Sequence, residues 1–186
     1  MDLDEVKECA SKCTLCGLHI GRNKPVFSKG NEESSIMICG MVPAAEENAA
    51  GIPFVGRSGK LLDNIIEDAG LSLDSIYITN LVKCFLAPGI SLKKNWVDCC
   101  LPYIVCQIHI IKPKVIITLG KDASVGLLSL DQSKSLKSII TNRPYTIYNN
   151  IKVMPTYHPS YLLRAGGKNH IKYEDVVECF MLAKEF

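Results

Sequence analysis

Three apolar runs in the chain predict buried β-strands, and a helical repeat of apolar residues follows each of them. The runs are rich in isoleucine and valine, side chains that pack well on a pleated sheet. They cover residues 35–41, Ile76–Asn80 and residues 114–120. The last run is apolar at almost every position, which is typical of a central parallel strand because both of its faces are covered.

Amphipathic helices are predicted where apolar residues recur every three or four positions. The longest places Val97, Leu101, Ile104 and Ile108 on one stripe. We expect Pro102 either to kink this helix or to mark its start, since proline lacks the amide hydrogen. The predicted helices cover residues 3–12, 58–68, 92–111, Lys121–Leu128 and residues 171–184.

The segment between the last two predicted helices has weaker patterns. Residues 129–143 are polar, and we expect them to be irregular and mobile. Residues 145–148 and 151–154 form two short apolar runs. They predict either a hairpin across Asn149 and Asn150 or two separate strands.

The alternation of strands and helices predicts the fold class. The connections are long enough for right-handed crossovers between parallel strands. We therefore expect one domain over residues 1–186, a three-layer α/β/α sandwich with a mostly parallel central sheet. The carboxyl ends of parallel strands meet at one edge, where such folds bind ligands. The residues expected at this edge are Gly40, Met41, Val42, Asn80, Gly120 and His158.

Composition and charge narrow the class of protein. The chain has 186 residues, of which 47% are hydrophobic, and this is enough for one domain with a substantial core. It contains no apolar run of about eighteen residues and no apolar signal core, so we expect a cytoplasmic protein without membrane contact. A net charge of +2 neither indicates nor excludes nucleic-acid binding, because a local basic patch suffices.

Nine cysteines in a cytoplasmic chain favour metal binding, catalysis or plain burial over disulfides. Cys13 and Cys16 are spaced so that both thiolates can bind one metal centre, although this spacing also suits redox chemistry or arises by chance. On the long helix, Cys100 lies at the edge of the apolar stripe and Cys99 points to the far side. Cys100 is therefore the better candidate for an inward-facing metal site.

Two segments carry motifs that strand and helix patterns do not explain. Residues 40–62 follow the pattern Gly-x-x-Pro-x-x-x-Glu-x-x-x-Gly-x-Pro-Phe-Val-Gly-x-x-Gly-x-Leu-Leu, and residues 158–164 are His-Pro-Ser-Tyr-Leu-Leu-Arg. Long loops inside a compact domain usually have a function. The two segments resemble the active-site motifs of the uracil-DNA glycosylase superfamily, in particular the class that holds a four-iron, four-sulfur cluster.

The resemblance implies four ligands for a [4Fe-4S] cluster. In that class an early Cys-x-x-Cys is followed by a cysteine after Val-Lys and by another at the head of Cys-x-Pro-Tyr. Four thiolates close such a site. The matching residues here are Cys13, Cys16, Cys84 and Cys100. The alternatives for these residues are buried thiols or ligands of zinc.

The resemblance also implies roles at the predicted crevice. Phe54 would be the aromatic face on which an extruded base stacks; the alternative is a plain core residue. Asn80 would pair its amide with N3–H and O4 of uracil; the alternative is an asparagine that caps the strand. His158 would donate to O2 of the departing uracil and stabilise its negative charge; the alternative is an ordinary loop histidine.

Contacts with DNA follow from the second motif. The resemblance implies that Tyr161, Leu162 and Leu163 wedge into the gap left by the base and that Arg164 contacts a phosphate. We expect weaker phosphate contacts from Lys83 and Lys168. The implied partner is uracil-containing DNA, single- or double-stranded, and we expect the chain to act as a monomer.

One position departs from the superfamily. Members usually carry Gly-Glu-Ala-Pro-Gly where this chain has Gly-Met-Val-Pro-Ala, so Met41 replaces the expected acid. A branch with Gly-Leu-Ala-Pro-Ala also lacks that acid. The resemblance implies that Gly40, Met41 and Val42 contact the uracil base. Glu47 then occupies the one acidic position that the motif still provides. We expect Glu47 to orient the attacking water and Glu46 to face solvent.

Three functions are compatible with these residues. The first is a monofunctional uracil-DNA glycosylase, which hydrolyses the bond between uracil and deoxyribose and leaves an abasic site. The second is a catalytically weak DNA-binding relative with a structural cluster, acting in replication or repair, which Met41 suggests. The third is a zinc-stabilised interaction protein, which the Cys-x-x-Cys pair alone would allow.

Overall fold

A six-stranded sheet forms the centre of the computed structural model, which describes residues 1–147 and 150–186. The strands are β1 Ser28–Gly30, β2 Ile36–Gly40, β3 Ile76–Asn80, β4 Val115–Leu119, β5 Tyr145–Thr146 and β6 Lys152–Thr156. Their order in the sheet is β1-β3-β2-β4-β6-β5. The four inner strands are parallel, and the two edge strands are antiparallel to their neighbours.

Helices cover both faces of the sheet. They are α1 Leu3–Ser11, α2 Ala45–Ala50, α3 Arg57–Asp68, α4 Lys94–Ile111, α5 Lys121–Leu128, α6 Leu136–Thr141, α7 Pro159–Arg164 and α8 Tyr173–Ala183. On β2, Ile36 and Ile38 pack in a core with α3 and α8, whereas Met37 and Cys39 pack in a second core with α1 and α4. Successive strand residues face opposite sides, so the chain builds two cores. The predicted three-layer α/β/α sandwich with a mostly parallel sheet is confirmed.

Four short elements are absent from the sequence prediction, and one of them, helix α7, lies inside the second motif segment. Strand β1 lies outside the three apolar runs, and it pairs with β3 at the sheet edge. Helix α2 lies inside the long motif segment. Helix α6 lies in the stretch predicted to be irregular, where the Ser135 side chain caps it and Ile139 is buried. Each has six residues or fewer, so no periodicity can develop.

The remaining local predictions have mixed outcomes. Strands β5 and β6 pair antiparallel, which confirms the hairpin rather than two separate strands. Tyr148, the last residue of the first predicted strand, and Asn149, half of the predicted turn, lie outside the described residues. Helix α4 begins at Lys94 and continues through Pro102, so the proline does not mark its start.

No helix within residues 1–147 and 150–186 is long and apolar enough to cross a membrane.

The carboxyl ends of the inner strands meet as predicted. Gly40 on β2 lies beside Asn80 on β3, and Gly120 after β4 lies beside the turn that follows β6. A Cβ at Gly120 would lie 3.3 Å from the His158 Cβ. The strand ends at Gly40, Asn80 and Gly120 and the turn at His158 therefore meet at one crevice.

Candidate active site

Gly40 makes room for the crevice. A Cβ at this position would lie 2.3 Å from the Asn80 Oδ1 and 2.7 Å from the Phe54 Cζ. Real Cβ atoms do not approach other atoms so closely, and neither neighbour is at the end of a long flexible side chain. Only glycine allows the end of β2 to contact both side chains.

Phe54 is held in an unusual backbone conformation. Its φ angle is 53°, a left-handed value that bulky residues rarely adopt. Gly59 permits it, since a Cβ there would lie 2.1 Å from the Phe54 carbonyl oxygen. The Lys29 Nζ donates to that same oxygen at 2.9 Å. Such strain persists only where neighbours enforce it, and it is concentrated at functional sites.

The Phe54 ring forms one wall of a cavity of about 170 Å³ at the carboxyl edge of the sheet. The ring is largely buried, and its centroid lies 6.0 Å from that of the His158 ring. The cavity is lined by Val42, Pro43, Ala44, Glu47, Phe54, Ser58, Asn80, His158 and Ser160. An aromatic wall with a few convergent polar groups is the usual composition of a small-molecule site.

Asn80 ends β3 with its side chain at this cavity, and the residue is 2% exposed. Its backbone is fixed from two sides. The Leu81 N–H donates to the Gly40 carbonyl at 2.9 Å, and the Lys83 Nζ donates to the Asn80 carbonyl at 2.6 Å. The amide therefore offers one donor and one acceptor from a fixed stretch of backbone.

His158 caps the start of α7, and its protonation follows from its contacts. The Ser160 N–H donates to the His158 Nδ1 at 3.0 Å. Burial, and to a smaller extent the nearby Arg164 charge, lowers the pKa of His158 to about 4, and Glu47 opposes the shift. The ring is therefore neutral at pH 7. Because Nδ1 accepts a hydrogen bond, the proton resides on Nε2, which is then available as a donor.

Glu47 joins the two ends of the motif segment. Its Oε1 accepts from the N–H groups of Val55 at 3.0 Å and Gly56 at 3.1 Å, and its Oε2 accepts from the Ala44 N–H at 3.1 Å. The residue is 5% exposed and lines the cavity. A carboxylate has about four acceptor positions, so one remains after these three bonds. Glu46 is exposed, as predicted.

The four candidate ligand cysteines also come together. Cys16, Cys84 and Cys100 pack in one cluster with Leu18 and Val82, and the Tyr103 hydroxyl contacts Cys13. Cys100 is buried and Cys99 is not, which agrees with the predicted face of α4. Cys99 instead donates to the Leu15 carbonyl at 3.4 Å.

The pKa shifts of Cys84 and Cys100 show that the thiols of this cluster lie close to one another. Burial raises the pKa of the Cys84 thiol; Arg22, which donates to its sulfur at 3.1 Å, lowers it, and Cys16 and Cys13 raise it. Burial raises the pKa of Cys100 to about 11, which the Lys83 backbone N–H opposes. A bound metal cation would stabilise the deprotonated form of these neighbouring thiols, because cysteine binds metals as the thiolate.

The donor set also bears on the kind of centre. Among residues 1–147 and 150–186, no three His, Cys, Asp or Glu side chains converge on a position for a single metal ion. A [4Fe-4S] cluster takes one thiolate ligand for each of its four iron atoms. Four soft sulfur ligands in an apolar setting fit such a cluster.

Comparisons with known proteins agree with the geometry. Residues 27–181 match the family model described as "Uracil DNA glycosylase superfamily". The chain belongs to the uracil-DNA glycosylase superfamily. It is 36% identical to a protein of Thermotoga maritima named "Type-4 uracil-DNA glycosylase", over 94% of this chain and 91% of the relative. Relatives of the same name in Saccharolobus solfataricus and Pyrobaculum aerophilum are 38% and 34% identical, over 86% and 88% of this chain and 76% and 86% of their own lengths.

Two residues of this superfamily member do not lie where their predicted roles require. Leu162 is fully buried in the core under α3 and α8, so the prediction that it wedges into DNA is wrong. It occupies the inward face of α7. Lys83 is 1% exposed, so the prediction of a phosphate contact is wrong as well.

The other predicted DNA contacts have different surroundings. Tyr161 is 42% exposed and stacks on Tyr157, with ring centroids 5.4 Å apart. Leu163 is half-buried, and Arg164 is exposed at the rim of the crevice. Lys168 is paired with Asp68 at 2.8 Å, which reduces its availability to a phosphate.

Met41, where superfamily members usually have an acid, is half-buried beside the site. It packs against the second core and the cysteine cluster, and it lines a cavity that also includes His158. Val42 packs against the same cysteine cluster and lines the Phe54 cavity. The two residues thus form apolar contacts between the cysteines and the crevice.

Three residues that the sequence does not single out make specific contacts at these sites. Ser160 fixes the His158 tautomer through its backbone, Ser58 lines the cavity, and Arg22 contacts the Cys84 sulfur. The sequence offers a signal only for Ser160, which is the third residue of the His-Pro-Ser motif. The contacts of Ser58 and Arg22 depend on tertiary structure.

Proposed function

We propose that the chain is a uracil-DNA glycosylase of DNA repair that flips uracil out of single- or double-stranded DNA and hydrolyses its glycosidic bond. The observation that carries this proposal is the single cavity in which Phe54, Asn80 and His158 meet, within a chain of this superfamily. Each of the three side chains suits one face or edge of an extruded uracil.

Recognition of the base rests on Phe54 and Asn80. The Phe54 ring offers a flat surface that replaces stacking lost when the base leaves the duplex. The Asn80 amide can accept from N3–H and donate to O4 of uracil. Cytosine has an acceptor at N3 and a donor amino group at C4. The buried amide would then place acceptor against acceptor and donor against donor, which is strongly unfavourable. Gly40 lets both side chains lie against the end of β2.

Bond cleavage rests on His158 and Glu47. The glycosidic electron pair leaves with N1 of uracil, and the resulting negative charge spreads to O2, where the neutral His158 Nε2–H donates. The sugar becomes oxocarbenium-like and takes the hydroxyl of a water molecule, whose proton neutralises the uracil anion. The fourth acceptor position of Glu47 would hold that water, and the negative charge of the carboxylate would stabilise the sugar cation.

The path of the DNA follows the exposed residues beside the crevice. Tyr161 and Leu163 would fill the gap left by the base, and Arg164 would bind a phosphate. We further propose that the chain acts as a monomer, as one domain over residues 1–186, in the cytoplasm.

An Arg164→Gln variant is expected to weaken DNA binding alike for all flanking sequences and to reduce the salt slope by about one, since one phosphate contact is lost. Fluorescence anisotropy over a salt series measures both. Lys168→Gln is the matched control, because the Lys168 ammonium is already paired with Asp68. Loss of binding to one sequence only would show that Arg164 reads bases.

We propose that Cys13, Cys16, Cys84 and Cys100 hold a [4Fe-4S] cluster. When bound, the cluster would crosslink the loop after α1, the segment after β3 and the start of α4. Fixing these three segments would stabilise the neighbouring Met41–Val42 wall of the crevice.

A Cys100→Ala variant is expected to lose its iron, whereas Cys99→Ala is expected to retain it. Cys100 faces the other thiols, and Cys99 faces the backbone of Leu15. Iron and acid-labile sulfide per chain, after purification without oxygen, measure the difference. Iron loss in Cys99→Ala with retention in Cys100→Ala would contradict the assignment, and zinc without sulfide would favour a zinc site.

The test of the function is incubation with oligonucleotides that carry uracil, thymine or cytosine opposite guanine, followed by alkali. Alkali cleaves the strand only where an abasic site has formed. We expect cleavage at uracil alone. Binding without cleavage would favour the second candidate, a DNA-binding relative, for which the apolar Met41 beside His158 is the specific observation.

A further inference from the structure

Lys83 is a buried lysine that the proposed chemistry does not use. It is 1% exposed, yet its Nζ has three acceptors, which match the three ammonium hydrogens: the Thr79 hydroxyl at 2.7 Å, the Asn80 carbonyl at 2.6 Å and the Gln107 side-chain carbonyl. All three are neutral groups. Burying a cation without a carboxylate partner is unfavourable, so the presence of a lysine at this position calls for an explanation.

The contacts of Lys83 continue to the neighbouring elements. The Gln107 Nε2 donates to the Tyr77 hydroxyl at 2.8 Å, and the Thr79 hydroxyl donates to the Phe27 carbonyl at 2.7 Å. Gln107 lies on α4, two turns after Cys100. This hydrogen-bonded group therefore joins α4 to the last residues of β3, below the crevice.

The backbone of Lys83 faces the cysteine cluster. The Lys83 backbone N–H faces the Cys100 sulfur and opposes the rise in the pKa of that thiol. Cys84 is the next residue in the chain. The side chain of the same residue holds the Asn80 carbonyl. One residue thus contacts a candidate cluster ligand through its amide and the proposed uracil reader through its ammonium.

We propose that Lys83 is a positioning residue that fixes Asn80 for uracil recognition and links that position to the cluster site. The inference rests on the proposed role of Asn80. The Asn80 side chain can match N3 and O4 of uracil only if the end of β3 is held still, because a misplaced amide loses both hydrogen bonds. The Lys83 ammonium supplies this restraint from the side opposite the crevice. A charged donor suits the purpose, since its hydrogen bonds are stronger than those of neutral groups.

A Lys83→Met variant tests the inference by removing the ammonium while roughly keeping the volume. The probe is an oligonucleotide with a fluorinated deoxyuridine that resists cleavage, compared with the same strand carrying cytosine. We expect uracil-specific affinity to fall about tenfold, the scale of one lost charged hydrogen bond, with affinity for the cytosine strand unchanged. Iron content should stay near the wild-type level. Lys114→Met is the matched control, since it removes one exposed lysine from the opposite edge of the sheet.

A double-mutant cycle with Asn80→Ala separates positioning from general stability. If Lys83 acts through Asn80, Lys83→Met should lose no further uracil-specific affinity in the Asn80→Ala background. Additive losses would overturn the inference. A wild-type chain that binds uracil and cytosine strands equally would instead contradict the proposed function, so the two failures are distinguishable.

Gln107→Met provides a second test if Lys83→Met does not fold. It disturbs the same buried group but leaves the bond from Lys83 to the Asn80 carbonyl in place. We expect Gln107→Met to keep its preference for uracil while its melting temperature falls. Loss of that preference would show that the buried group acts only as part of the core, and the inference would be wrong.

Discussion

Replacing His158 with alanine is expected to slow uracil release about 10²–10³-fold under single-turnover conditions, the effect of removing one donor from a developing anion. The His158 Nδ1 accepts the Ser160 N–H, so the Nε2 proton points away from its own helix and is free for O2 of uracil. Quenched reactions with enzyme in excess measure this step without interference from DNA binding. A rate within twofold of wild type, about 0.4 kcal/mol in barrier, would remove His158 from the chemistry.

His170→Ala is the matched control for this variant. The His170 Nδ1 accepts the Lys172 N–H at 2.9 Å, which is the same local bond that His158 makes, but His170 lies outside the cavity. We expect the single-turnover rate of His170→Ala to stay close to wild type. An equal loss in both variants would mean that the motif helix, rather than the His158 ring, was disturbed.

The depressed pKa of His158 makes the free energy of unfolding depend on pH. Its pKa of about 4 lies below the ordinary 6.5, so the unfolded chain takes up the proton first. The corresponding stability is fully present above pH 6.5 and is lost as the pH falls towards 4. His158→Ala should lack this dependence, which denaturant unfolding at several pH values measures.

Replacing Glu47 with glutamine is expected to lower turnover about 10²-fold or more, the scale of a positioned acid–base group. The sequence alone suggests a purely chemical loss with DNA binding largely kept. The structure adds a second effect: all three bonds to Glu47 come from backbone N–H groups. A glutamine nitrogen would have to face one of these donors, so the loop between Ala44 and Gly56 should also lose stability.

Rates and thermal melting measured together separate the two effects. Glu46→Gln is the matched control, because Glu46 is the adjacent acid and is exposed. We expect it to be nearly silent in both measurements. Full activity in Glu47→Gln would remove Glu47 from the mechanism and favour leaving-group stabilisation alone, with water held by backbone groups. A rate loss that disappears well below the melting temperature would assign Glu47 a structural role only.

The hydrophobic pattern predicted the central sheet because β2, β3 and β4 are buried on both faces. That burial requires apolar side chains at nearly every position, and the requirement is visible in the sequence. Strand β1 is Ser-Lys-Gly at an edge, where the backbone alone makes the pairing, so its side chains carry no signal.

The sequence predicted which strand ends meet at the crevice, but it did not predict which residues near them are buried. The predicted strand ends placed Asn80 and His158 at the same crevice, and both line the Phe54 cavity. Lys83 was expected at the surface because lysine is rarely buried, and its three acceptors come from residues that only the fold brings together. Leu162 lies within a motif, but α7 turns it into the core. Knowledge of that helix would have been needed to separate it from Tyr161.

The structure of the chain bound to DNA that carries the non-cleavable deoxyuridine tests the central claim most directly. The account predicts that the uracil leaves the stack and enters the Phe54 cavity. Its ring should stack on Phe54, its N3 and O4 should meet the Asn80 amide, and its O2 should lie within hydrogen-bond reach of the His158 Nε2. A bound strand whose uracil stays stacked, or lies away from Phe54, Asn80 and His158, would contradict the account.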